Sequence, residues 1–193
     1  MSLIIPPELP RRGNRFSVWF GKTLLKLSGW RLDGELPNQG KLMLIAAPHT
    51  SNWDFPFAMS AILAMKVDVR WIGKHTLFRR PFGSFFRFLG GMPVDRTSTK
   101  GLVATCVTAF ESNDKLIIGM APEGTRSKVT RWHTGFYHIA LGAGVPVVCA
   151  AIDYKARTIT LGPSIKPSGD LESDFAQILR HYQAFTPRKP ENF

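Results

Sequence analysis

Two apolar runs in this chain break off abruptly into clusters of polar side chains, and that pattern limits the fold more than any other feature. Residues 41–47 (KLMLIAA) lead straight into Pro48-His49-Thr50-Ser51-Asn52-Trp53-Asp54. Residues 116–120 (LIIGM) lead into Ala121-Pro122-Glu123-Gly124-Thr125-Arg126-Ser127. Short apolar runs of this length read as buried strands. Further strands are predicted over residues 69–72, 145–152 and 158–161. Helices are predicted over 55–65, 101–111, 135–141 and 171–185, and residues 82–89 read as an aromatic helix or loop. Strands that alternate with helices predict an α/β fold, a mostly parallel central sheet flanked by helices. Ligands of such sheets bind beyond the carboxyl ends of the strands, where the polar clusters fall. At 193 residues the chain is expected to form a single domain, residues 1–193.

Charge narrows the class of partner. Lys and Arg number 25 against 14 Asp and Glu, a net charge of +11. Such an excess predicts attraction to nucleic acid, to an acidic membrane surface or to phosphorylated substrates. With 44% apolar and 20% charged residues the composition is globular rather than disordered. Cys106 and Cys149 lie in apolar runs, without metal-site spacing, and read as buried, reduced thiols. The first 15 residues lack the order of a secretory signal. The uncharged stretch at residues 135–152 is interrupted by glycines and Pro146, so it reads as helix, turn and strand rather than a membrane span. These features lead to the expectation of a cytoplasmic protein without a transmembrane helix.

Residues 15–30 are predicted to form a helix. At ~100° per residue Phe16, Phe20, Leu24 and Leu27 share one side, with Arg15, Lys22 and Lys26 on the neighbouring stripe. Two readings fit: a helix packed on the core with solvated cations, or an amphipathic helix on a membrane surface, with Trp19 and Trp30 at headgroup level.

Three polar segments carry the candidate chemistry. His49 and Asp54 stand five residues apart at a strand-to-helix turn. On a continuous helix that spacing separates two side chains by about 140°, but in a bent turn they can meet. The carboxylate would then hold one imidazole nitrogen while the other takes a proton from a hydroxyl. Equally, Asp54 can serve as a helix N-cap and His49 as a turn histidine. In Gly90-Gly91-Met92-Pro93-Val94-Asp95-Arg96 the glycines allow a tight backbone, and Arg96 ends a short strand. From residue 69 to 100, Arg70, Lys74, Arg79, Arg80, Arg87, Arg96 and Lys100 face a single acid, Asp95. Phe78, Phe82, Phe85, Phe86 and Phe88 are interleaved with them, which suits a nucleic-acid groove or the wall of a site for a phosphate with an apolar tail. The phenylalanines of residues 82–88 are expected in the core, with an acyl tunnel as the alternative. In the third segment Gly124 permits a strained backbone, Thr125 and Ser127 offer hydroxyls, and Arg126 can clamp a phosphate. A plain strand-end turn accounts for the same residues.

Taken in order, the blocks HTSNWD, GGMPVDR and PEGTRS, followed by the apolar Val145-Pro146-Val147-Val148, resemble the glycerolipid acyltransferase family. The resemblance covers residues 29–165. It implies transfer of a fatty acyl group from a thioester, acyl-CoA or acyl carrier protein (acyl-ACP), to the hydroxyl of a lysophospholipid such as 1-acylglycerol-3-phosphate. His49 would be the general base and Asp54 its support, with no acyl-enzyme. Lys74 and Arg96 would hold the acceptor phosphate, and Glu123, Gly124, Thr125 and Arg126 would form the acceptor block. No metal and no bound cofactor are implied. Pro48 stands where many members carry Asn, and the bulky Trp53 lies beside the pair. By this resemblance the protein acts peripherally on the anionic inner face of a membrane. A non-phosphoglyceride acceptor, or a thioesterase that uses water, would need the same base. A nucleic-acid-binding module explains the charge but not the positions of His, Asp, Glu and Arg after strands, so no nucleic-acid partner is expected.

Overall fold

The computed structural model describes residues 5–94 and 99–193. In chain order the elements are α1 (Arg15–Leu27), β1 (Arg31–Gly34), β2 (Lys41–Ala47), α2 (Asp54–Met65), β3 (Val69–Lys74), α3 (Gly83–Phe88), β4 (Gly91–Val94), α4 (Thr99–Glu111), β5 (Leu116–Met120), α5 (Gly135–Ala143), β6 (Val147–Asp153), β7 (Thr158–Ile165) and α6 (Leu171–Tyr182). The strands form one sheet in the order β1-β7-β6-β2-β5-β3-β4. Neighbouring strands are parallel except β6 and β7, which form an antiparallel pair. The expected mostly parallel α/β architecture is therefore present.

The central strands are apolar throughout because both faces of the sheet are covered. Along β2, Met43, Ile45 and Ala47 join Val147, Cys149 and Ala151 of β6 in one core cluster. Cys106 and Phe110 of α4, Phe136 and Ile139 of α5, and Ile178 and Tyr182 of α6 complete it. The alternate residues Leu42, Val148, Ala150 and Ile152 pack in a second cluster with Leu25 of α1 and Ala61, Ala64 and Met65 of α2. The period-two alternation thus divides three layers, helix on sheet on helix. The Tyr182 hydroxyl is 2.9 Å from the carbonyl oxygen of Ile45 and ties α6 to the central strand. Burial holds the Cys106 and Cys149 thiols up at about 11, so both stay protonated in the core at neutral pH.

Several boundaries differ from the sequence expectation, each for a local reason. Strand β1 (RLDG) was not expected: it has no apolar run and forms only by pairing alongside β7 at the sheet edge. β3 runs on to Lys74 because β4 pairs with it there, and β7 runs on to Ile165 along β6. Helix α1 stops at Leu27, short of residue 30. The Trp30 N–H closes on the Leu25 carbonyl at 2.8 Å and turns the indole inward. Trp30 is therefore buried, stacked on Phe57 with centroids 4.3 Å apart, and not at headgroup level. Gly21 lets α1 lie directly on α2: a Cβ there would meet Ala64 N and Ser60 O at 2.6 Å. In α1 only Gly21 and Leu25 are buried, so Phe16, Trp19, Phe20, Leu24 and Leu27 face outward. The core expectation for residues 82–88 fails at Phe82, Phe85 and Phe88, which are exposed.

Candidate active site

The three central strands β5, β2 and β6 are neighbours, and beyond their carboxyl ends come Glu123, His49 and Tyr154. This is also where the chain order reverses across the sheet, the usual position of a ligand crevice in open α/β sheets. The site is thus set by topology before any side-chain contact is considered.

Directly after β2 the chain turns through residues 48–53 and enters α2 at Asp54. Asp54 is the first helical residue rather than the N-cap; Trp53 holds that position and makes no side-chain capping bond. The Asp54 carboxylate instead folds back over the turn. Its Oδ2 accepts from the N–H groups of Thr50 at 2.9 Å and Ser51 at 2.8 Å. The same oxygen lies 3.1 Å from His49 Nδ1. Its Oδ1 accepts from the Tyr154 hydroxyl at 2.7 Å. Bending the turn about the carboxylate brings together side chains that a straight helix would hold apart. Asp54 is 1% exposed, and a buried carboxylate of this kind needs such partners to stay charged. The His49 ring is 28% exposed, and its Nε2 has no hydrogen-bond partner among the described residues.

Glu123 comes to the same turn from β5. Its Oε1 accepts from the His49 backbone N–H at 2.9 Å. Its Oε2 is buried and has no partner among the described residues. Burial pushes the carboxyl up from 4.5 to about 7, and the bond from the His49 N–H offsets only part of this. Gly124 turns the chain with φ near +68°, a conformation that disfavours any side chain. Arg126 leans across to the turn and donates through Nη1 to Asn52 Oδ1. Thr125 is exposed, with its Oγ1 3.4 Å from Ser127 N. Lys74 ends β3, next to β5, and is exposed. The structure therefore gathers His49, Asp54, Glu123, Gly124 and Arg126 around one turn, with Lys74 two strands from β2 at the same edge. Arg96 lies outside the described residues.

Sequence reasoning missed Tyr154. Its position just past β6 matches that of His49 just past β2, and the placement of polar residues after strands was the signal that could have found it. Burial, then its bond to Asp54, raises its phenol well above the ordinary value, so it remains a donor at neutral pH. The C-terminal segment is a second missed contributor. Lys189 N–H donates to Thr50 Oγ1 at 3.2 Å, and the Arg188 guanidinium lies 5.4 Å from the Trp53 ring and 5.7 Å from that of Tyr154. Among the described residues no group of three or more His, Cys, Asp or Glu could hold a metal ion.

The chain is similar to the 1-acyl-sn-glycerol-3-phosphate acyltransferase of Escherichia coli (strain K12), 29% identical over 168 residues that cover 82% of this chain and 66% of that protein. It is 32% identical to the Haemophilus influenzae protein of the same name over 149 residues, 71% of this chain and 60% of that one. The chain thus spans slightly less than two thirds of these relatives. In fold it is similar to the 1-acyl-sn-glycerophosphate (LPA) acyltransferase of Thermotoga maritima. That match has a TM-score of 0.58 at 20% identity and covers 86% of this chain and 75% of that one. The pattern of one family matches residues 32–153, from β1 to the end of β6, and so takes in the His49 turn and the Glu123 segment. The chain belongs to the Acyltransferase family.

Proposed function

We propose that the protein transfers a fatty acyl group from a thioester, acyl-CoA or acyl-ACP, to the free hydroxyl of a lysophospholipid such as 1-acylglycerol-3-phosphate. The observation that carries this reading is the His49–Asp54 pair: Nδ1 is held at 3.1 Å from a buried carboxylate, and Nε2 is left without a partner among the described residues. The names of the relatives support the choice of acceptor.

The chemistry needs no covalent enzyme intermediate. The acceptor hydroxyl gives its proton to His49 Nε2 as its oxygen bonds to the thioester carbonyl carbon. The imidazolium that forms is stabilised by Asp54. Collapse of the tetrahedral intermediate breaks the carbon–sulfur bond, and the thiolate takes the proton back from Nε2, so base and proton are restored in each turnover. Arg126, Arg96 and Lys74 are the cations assigned to the acceptor phosphate, Arg126 as a planar clamp and Lys74 as a point charge. Glu123 fixes the His49 backbone, while Gly124 and Thr125 shape the loop that carries Arg126. The remaining rate advantage comes from holding two substrates in register at one turn.

Both substrates are amphiphilic, which supports the reading of a peripheral protein at a membrane surface, with the cytoplasmic, inner face as the proposed side. Among the described residues no helix is long and apolar enough to cross a bilayer. The outward apolar side of α1, flanked by Arg15, Lys22 and Lys26, suits shallow attachment to anionic lipid.

The test is thiol release from a long-chain acyl thioester, with and without lysophosphatidate, in wild type and His49→Ala. Release that requires the lysolipid and falls by about 10²- to 10⁴-fold in the variant is the expected result. Release independent of the lysolipid would make the protein a hydrolase, and release that survives His49→Ala would remove the base from the scheme.

A further inference from the structure

The connection from β3 to β4 is built unlike a solvated loop. Its short helix α3 exposes Phe82, Phe85 and Phe88 at 65%, 54% and 72%, and Leu77 just before it is exposed too. A surface of this kind marks an interaction site. The segment is also rigid beneath its exposed rings. Phe86 packs edge-on against Phe55 of α2 and against Trp71 of β3, with centroids 5.8 and 6.0 Å away. Trp71 stacks on the buried Phe78 at 5.7 Å, and its Nε1–H donates to the Leu89 carbonyl at 3.0 Å.

This patch is tied to the segment that leads into α1. Arg12, three residues before α1, donates to the Phe88 carbonyl and lies 5.8 Å from the Phe88 ring centroid. Phe55 sits in the first turn of α2, one residue after Asp54, so the aromatic patch is braced against the helix end that carries the candidate site.

Charge identifies the occupant. Residues 69–94 contain no Asp or Glu; Arg70 is paired with Asp68 at 3.2 Å, which leaves Lys74, Arg79, Arg80 and Arg87, and α1 carries Arg15, Lys22 and Lys26 and no acid. A second copy of a chain with net charge +11 would bring cations against cations. An anionic bilayer offers an apolar interior for the rings and phosphates for the arginines. We infer that α3 and its flanking arginines form a second membrane-docking element, continuous with α1 through Arg12, that inserts Phe82 and Phe85 into anionic lipid and sets the orientation of the site turn to the surface. This rests on the peripheral reading above and goes beyond it, because α1 alone would leave rotation about its own axis unfixed.

The test uses vesicles of phosphatidylglycerol and phosphatidylcholine, mixed, and of phosphatidylcholine alone, with the full chain. Phe82→Asp with Phe85→Asp should weaken co-sedimentation with the mixed vesicles by at least about tenfold while α1 is intact. As a second readout, a nitroxide is attached at Phe82→Cys; the native Cys106 and Cys149 are buried and do not compete for the label. On mixed vesicles the label should become more accessible to oxygen and less to a polar nickel complex. If the double variant binds as wild type and the label stays in water, while Phe20→Asp with Leu24→Asp abolishes binding, α3 has no docking role and the peripheral reading stands. If wild type ignores both vesicle types, both readings fail. A concentration-dependent dimer that buries the label without lipid would assign the patch to self-association and overturn the proposal.

Discussion

Glu123 gives the protein a pH-dependent stability of definite sign. Its carboxyl is 4% exposed, one oxygen bonds the His49 N–H, and the other has no partner among the described residues. Burial outweighs the favourable bond and pushes the group from 4.5 to about 7. Between those two values the folded chain holds more protons than the unfolded chain, so stability falls as pH rises. Below about 4.5 both states are protonated and the group has no effect; above about 7 the whole cost is present. A difference of about 2.5 decades in proton affinity corresponds to about 3 kcal/mol. Glu123→Gln keeps an acceptor for the His49 N–H and removes the charge. Urea unfolding of both proteins from pH 4.5 to 8.5 checks the prediction. The variant should match wild type at the acid end and exceed it at pH 8 by about 3 kcal/mol, with the change centred between pH 4.5 and 7. A difference that stays flat across the range would mean that a cation already neutralises the carboxylate, and the reasoning would be wrong.

Other perturbations separate site from scaffold. Asp54→Asn leaves the side chain's shape but removes the charge that stabilises the imidazolium, and single-turnover kinetics should show at least about 10²-fold slower acyl transfer. Tyr154→Phe removes one donor to Asp54 Oδ1; kcat should fall by roughly fivefold with KM unchanged, as expected for a bond worth ~1 kcal/mol. Asp174 is remote from the site and accepts from Ser168 N, Ser168 Oγ and the Tyr137 hydroxyl. Burial works against its charge, but these bonds prevail and hold the carboxyl below its ordinary value. Asp174→Ala should therefore lower stability at pH 7 by on the order of 2–3 kcal/mol, measured by urea unfolding, with kcat unchanged at a permissive temperature. Gly21→Leu should separate α1 from α2 and lower the melting temperature by several degrees, because its Cβ has no room.

The sheet was legible because the central strands are apolar on both faces. Residues 41–47 and 116–120 match β2 and β5 at both ends, since the breaks at Pro48 and Ala121 coincide with a real change of environment. β1 was illegible for the converse reason: an edge strand of Arg, Leu, Asp and Gly needs no apolar run, and its partner β7 lies far along the chain. Trp30 was misplaced because helical periodicity says nothing about where a helix stops. Phe82, Phe85 and Phe88 were misplaced because hydrophobicity alone does not reveal whether another element covers a ring.

The five-residue spacing of His49 and Asp54 shows what a motif encodes and what it omits. The spacing works because two backbone N–H groups, of Thr50 and Ser51, close the turn onto Asp54 Oδ2, so the carboxylate shapes the loop that presents its own partner. Those donors are backbone atoms, and a pattern of side chains does not display them. The outer supports come from further away still: Tyr154 beyond β6 and Glu123 beyond β5 reach the turn only because β6, β2 and β5 are adjacent. Loss of the pairing between β2 and either neighbour would leave the motif intact in sequence and dismantle the geometry on which it depends. The linear pattern therefore specifies the reacting groups, while the sheet order specifies the environment that aligns them.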